Sequence, residues 1–185
     1  ASDVYKRQLQ AKGRNYSAAQ LLADFDDGSA VNGGSFATIY LAPSNYHRVH
    51  MPFAGTLIET RYVPGELFSV NHATATHIPD LFARNERLVC VFETKFGSAF
   101  VVLVGAMIVA GIECVATGKI QRSNRLHIEK HSLALNKGDE LGRFYLGSTA
   151  IVVLPKSANA VWETNMQHGR AVQMGELLGT ALEPR

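Results

Sequence analysis

Between residues 36 and 154 the apolar positions fall into short runs punctuated by Gly, Pro, Asn and Asp, the pattern of strands joined by tight turns. Strands are predicted over 36–42, 55–63, 66–70, 88–94, 98–109 and 112–118. Many of them are apolar at both alternating positions. A strand without a wet face is buried on both sides, so the pattern predicts a packed sandwich or barrel rather than an open sheet. Residues 85–87 and 95–97 are expected to turn the chain at either end of the 88–94 run. Upstream, Ser17-Ala18-Ala19-Gln20 has capping-box form, and Leu21, Leu22 and Phe25 follow at helical spacing, which predicts one short helix over 17–25. Asp26-Asp27-Gly28 and Gly33-Gly34 end it.

The most polar stretch, 121–136, carries Arg122, Arg125, Glu129 and Lys130 and is expected to be a surface excursion of variable structure, with His127 and His131 on a solvated face. Lys137 to Glu140 predicts a turn, after which 141–154 reads as one long strand interrupted near Gly147. The fold class that follows is mainly β with a short N-terminal helix, of β-sandwich or barrel-sandwich hybrid type.

Composition narrows the picture. With 185 residues, 46% of them hydrophobic, the chain can bury one sizeable core, so a single domain is expected. The net charge of +2 is spread without a basic stripe, which speaks against nucleic acid as a partner. Cys90 and Cys114 lie in apolar surroundings and do not form a disulfide framework; a reducing compartment fits them. The apolar run 100–112 is shorter than the roughly 20 residues a membrane helix needs, and Gly105 and Gly111 break it. Phe68, Leu81 and Phe82 are candidates for lipid contact or plain core. The first residues lack an initiator Met, and Asp3 to Gln8 resembles a translated transposase end sequence, so 1–8 are read as a non-native scar.

Two places can carry chemistry. Tyr46-His47-Arg48-Val49-His50-Met51-Pro52 sets two imidazoles three residues apart, suited to proton transfer near neutral pH. In a turn the rings could share a face; in a strand they would point to opposite faces. A zinc site would add His72 or His77 to the pair, without a cysteine cluster or helical His-Glu-x-x-His pattern to support it. The second place is Leu146-Gly147-Ser148-Thr149. A Gly before Ser leaves the carbonyl unshielded and frees the backbone for strained conformations, while the Ser hydroxyl is a nucleophile once a base takes its proton. Attack on the Gly147 carbonyl would turn the peptide bond into an ester, and elimination followed by hydrolysis would leave a pyruvoyl group. In a β-rich chain, Gly-Ser on its own is usually the sequence of a bulge or turn.

Four segments in order, 46–52, Gly65-Glu66-Leu67-Phe68-Ser69-Val70-Asn71, Phe82-Ala83-Arg84-Asn85-Glu86-Arg87 and Gly142-Arg143-Phe144-Tyr145-Leu146-Gly147-Ser148-Thr149, resemble bacterial phosphatidylserine decarboxylase. The resemblance covers residues 9–185, read as an N-terminally truncated catalytic domain. It implies self-cleavage at Gly147-Ser148, giving a β chain that ends at 147 and an α chain over 148–185 whose Ser148 becomes the pyruvoyl cofactor. It also implies that His50 drives this maturation and that His47 handles substrate. The pyruvoyl carbonyl would take the substrate amine as a Schiff base and turn phosphatidylserine into phosphatidylethanolamine and carbon dioxide, with no metal. The family's place is the cytoplasmic side of the cell membrane, on the membrane surface, and a homodimer is compatible with it. The family's relay Asp belongs to an upstream Pro-x-Asp-Gly-type motif that is missing from this sequence, as are its N-terminal hydrophobic helices. The reading from another class is a non-enzymatic β-sandwich carrier or binding module.

Overall fold

The computed structural model describes residues 8–11, 14–70, 77–106, 111–145, 147–166 and 169–182, with the side chains of 8–11, 14–17, Asp27 and Ser148 outside that description. Of the sequence expectations, the scar at 1–8 apart from Gln8, together with Asn71, His72, residues 107–109 and Leu146, lies outside the described residues.

A small hairpin, β1 (Gln8–Ala11) and β2 (Arg14–Ser17), leads into α1 (Ala18–Leu21) and a 3-10 segment over Phe25–Val31. The predicted helix over 17–25 is thus a single α turn. Asp24 and Asp26 stand at positive φ, which breaks helical geometry there. The body is a six-stranded antiparallel sheet in the order β10-β5-β6-β7-β12-β3. Its strands are β3 (Ser35–Leu41), β5 (Gly55–Val63), β6 (Arg87–Thr94), β7 (Gly97–Val104), β10 (His127–Leu135) and β12 (Ser148–Leu154). A four-stranded sheet, ordered β4-β11-β8-β9, contains β4 (Arg48–His50), β8 (Ile112–Cys114), β9 (Gly118–Lys119) and β11 (Glu140–Phe144). A helical turn α2 (Leu81–Arg84) precedes β6, and a short pair, β13 (Val161–Trp162) with β14 (Gly179–Thr180), lies near the C-terminus.

The two faces of the large sheet are both covered, as its doubly apolar strands require. Val91 pairs with Phe100, so Phe100 and Cys90 project to opposite faces. Phe100 meets Phe25 of the helical segment edge-on at 5.2 Å, and Cys90 touches Cys114 of the small sheet from the other side. The result is a sandwich-like stack with the core between layers. The two thiols are free and fully buried; the hydrogen bond they share holds Cys114 down to about 7 and pushes Cys90 well up.

Four expectations need correction. Residues 66–70 form no strand beyond the bridge Glu66–Asn85, because the fully buried Asn85 side chain takes over the pairing: its Oδ1 accepts from Phe68 N, and its Nδ2 donates to the carbonyls of Phe68 and Gly105. For the same reason 85–87 is no surface turn. Arg87 is 3% exposed and donates to the carbonyls of Gln20, Leu21, Ala83 and Asn85, tying the helical segment to the sheet. Burial lowers its guanidinium to about 10, so it stays charged near neutral pH. Within 121–136, residues 127–135 form the nine-residue edge strand β10, and His131 is half-buried and bonded to Thr60 Oγ1 at 2.8 Å rather than solvated. Leu81 and Phe82 are core, 2% and 3% exposed, which removes them as lipid contacts. The long strand over 141–154 is, as expected, two strands broken around Gly147, and they belong to different sheets.

Candidate active site

The chain leaves the small sheet at Phe144 and enters the large one at Ser148, so Gly147 is the crossover between layers. Ser148 pairs with Leu41, and the β12–β3 register then runs unbroken to Leu154–Ser35. Gly147 has no bulge beyond it and no left-handed φ. The expected backbone strain is absent, and the reason for glycine is close approach. A Cβ on Gly147 would lie 2.7 Å from Leu41 O and 2.9 Å from Pro43 N, so any side chain would collide with main chain.

That main chain carries the first histidine. Pro43 O accepts the His47 Nε2–H at 3.0 Å, while the His47 carbonyl accepts from Phe144 N at 3.0 Å. His47 is therefore anchored at both sides of the crossover: its ring to the turn that Gly147 packs on, its backbone to the end of β11. With Nε2 donating, Nδ1 is the bare nitrogen, and it is buried without a partner among the described residues. Thr149 Oγ1, one residue beyond Ser148, is a second such orphan. Buried polar atoms without partners are costly, and Thr38 Oγ1 on β3, the strand paired with β12, is a third.

His50 looks elsewhere. Its Nδ1–H donates to Gly138 O at 2.8 Å, and its Nε2 accepts the Tyr46 hydroxyl at 2.8 Å. The Gly138 contact fixes the tautomer and leaves Nε2 as the basic nitrogen. The two imidazoles do not share a hydrogen-bonding neighbourhood: β4 begins at Arg48, and each ring is held by its own turn. Tyr46, four residues before His50 and stacked on it at 5.7 Å, is a site residue that the sequence reading passed over. Thr149, quoted in the Leu-Gly-Ser-Thr step without a role, is fully buried.

Along the rim, Arg48 pairs with Glu140, which raises its guanidinium. Arg143 spans Glu140 at 3.2 Å and Glu113 at 3.4 Å, and Tyr145 donates to Glu113, which raises the phenol. These carboxylates are engaged by Arg and Tyr rather than by either histidine. Among the described residues no group of three His, Cys, Asp or Glu could hold a metal ion, and no helix is long and apolar enough to cross a membrane.

The chain is similar to known proteins along most of its length. A family model described as phosphatidylserine decarboxylase matches residues 2–180. The chain is 69% identical over 173 residues to the phosphatidylserine decarboxylase proenzyme of Psychrobacter arcticus, covering 94% of this chain and 62% of that protein. It is 56% identical over 176 residues to the proenzyme of that name from Acinetobacter baylyi, covering 95% and 61%. The chain therefore spans less than two thirds of either relative's length.

Proposed function

The chain belongs to the phosphatidylserine decarboxylase family, and from that premise we propose that it is cut by its own Ser148 and, once cut, decarboxylates phosphatidylserine to phosphatidylethanolamine. The observation that carries the proposal is the crossover itself: a glycine wedged against residues 41–43, with His47 hydrogen-bonded to that same turn.

The Ser148 hydroxyl oxygen attacks the Gly147 carbonyl carbon as a base takes its proton, and the C–N bond gives way to an ester. Loss of the Ser148 Cα proton expels the Gly147 carboxylate and leaves a dehydroalanine, whose hydrolysis releases ammonia. The 9–147 piece is then the β chain and 148–185 the α chain. His50 is the proposed base, the role the family resemblance implies: its protonated Nδ1 leaves Nε2 as the basic nitrogen, and the ring must leave Tyr46 and turn toward Ser148 to use it. The orphaned Thr149 hydroxyl suits a carbonyl-bearing cap at position 148 as a donor, while the bare Nδ1 of His47 can only accept. That pyruvoyl cap supplies an electron sink for the electrons released with carbon dioxide. His47 then carries the proton to or from substrate through its bare Nδ1. The proposed substrate places the enzyme at a membrane surface, on its cytoplasmic side. An inert Gly-Ser bulge in a carrier protein is the weaker reading, since β12 has no register shift at Ser148.

Gel analysis of the chain with the upstream segment of its relatives restored tests the proposal: a split into a long and a short piece is expected, and a restored chain that stays whole rejects it. In that background, His50→Ala should slow the split by about 10²-fold or more, the usual contribution of a general base, and His47→Ala much less. Equal slowing, or the reverse order, means that the two roles are wrongly divided. The pieces should also stay together after the cut. β12 is an interior strand held by β7 and β3, with Ile151 and Val153 fully buried. They should co-elute on a sizing column in buffer and separate only in denaturant; separation in buffer would contradict this placement of the α chain.

A further inference from the structure

Residues 121–128 are all exposed, eight in succession, and they are not simply polar: Leu126 and Ile128 are 48% and 42% exposed. Leu126 borders a cleft whose walls also include Lys119, Arg125 and Tyr62. Glu86 is paired with Arg122 and Glu59 with Lys130, Glu129 is hydrogen-bonded to His127, and Glu113, the cross-strand neighbour of Lys119, is held by Arg143 and Tyr145. Against Glu129 in the cleft the stretch then sets two cations, Lys119 and Arg125, a net positive charge. Lys119 in turn lies 4.8 Å over the ring of Tyr145, two residues before Gly147.

Exposed aliphatic side chains interleaved with cations form a surface that water serves poorly and an anionic bilayer serves well, because it offers acyl carbon to the former and headgroup charge to the latter. We propose that the surface made by residues 119–128 is where this chain meets an anionic phospholipid bilayer. Leu126 and Ile128 enter the acyl boundary, while Lys119 and Arg125 take the headgroups and feed the crossover from its Tyr145 side. The proposal rests on the reading that the substrate is an anionic phospholipid, and it adds the surface through which that substrate arrives. Both side chains lie on or next to the edge strand β10, and Ile128, paired with Arg61, is on the face of that edge opposite to Tyr62 and the cleft, so the bilayer would meet the edge itself from both faces.

Flotation of the 185-residue chain with vesicles of phosphatidylserine in phosphatidylcholine tests this, with pure phosphatidylcholine vesicles as the neutral arm. Binding to the anionic vesicles is expected, weakening as salt rises. Arg125→Glu should weaken it about tenfold, and Leu126→Ser with Ile128→Ser by about as much, with the thermal unfolding midpoint unchanged. Variants that bind as the parent does, equal binding to neutral vesicles, or binding lost only together with the fold would each overturn the proposal. Cleavage is read separately on the restored chain. Normal cleavage with unaltered vesicle binding in the variants removes this surface alone. Absent cleavage with variant-sensitive binding removes the catalytic reading and leaves the surface standing.

Discussion

Ser148→Ala is expected to give a single uncut polypeptide, with carbon dioxide release from phosphatidylserine at background, when made in the chain carrying the upstream segment. The substitution removes one oxygen and leaves the fold intact. Ser148 lies at the first position of β12, where the backbone register with Leu41 depends on N–H and C=O groups that alanine also has. The thermal midpoint should therefore match the parent's while cleavage disappears, because no other atom can form the ester. Cleavage of the alanine variant at the same bond would mean that an external protease makes the cut. Measurable decarboxylation by the uncut variant would mean that the carbonyl chemistry does not originate at residue 148.

Arg87→Leu is expected to be the most damaging substitution to the fold. Its guanidinium satisfies four main-chain carbonyls at once, those of Gln20, Leu21, Ala83 and Asn85, at 3% exposure. Leucine would fill much of the volume and leave those oxygens buried without donors, at a cost of about 3–5 kcal/mol, a large share of the roughly 5–15 kcal/mol that holds an ordinary domain. The urea midpoint should fall accordingly without a change in slope. Arg87→Lys should recover only part of the loss, because an ammonium has three donors and no planar fork. A loss below about 1 kcal/mol would show that the helical segment is not held to the sheet through this residue.

The sequence made the strands legible where burial dictates them. Residues 55–63 were expected to be a strand and are β5, and the 88–94 run is β6 from its second residue, since apolar positions on both faces leave little alternative. Pattern reading failed where a side chain replaces the ladder. Asn85 pairs with Phe68 as a neighbouring strand would, so residues that look like a strand need not be one. It failed again at β10, where Glu129, His131, Leu133 and Leu135 alternate with Lys130, Ser132 and Ala134; the charged edge positions masked a period of two. At the site, the residue types pointed to the chemistry, and the histidine pair and the Gly-Ser step were visible as candidates. Their arrangement was not. Glycine at 147 answers a contact with residues 41–43, more than a hundred positions away, and nothing in the local sequence records it. The separate anchors of the two imidazoles, Pro43 and Gly138, are likewise products of turns that the fold brings to them.

The placement of the crossover also explains why a cut there would be tolerated. The bond joins two sheets that are otherwise held by their own ladders and by a shared core, so breaking it removes a tether and no buried contact.

The central claim is that Ser148 becomes a pyruvoyl cap, and the mass of the short piece released from the restored chain tests it most directly. A piece beginning at position 148 and lighter by one ammonia than the corresponding serine-ended peptide is the expected result. A piece of the same length that retains its serine amine would mean simple hydrolysis of the bond, and would contradict the account.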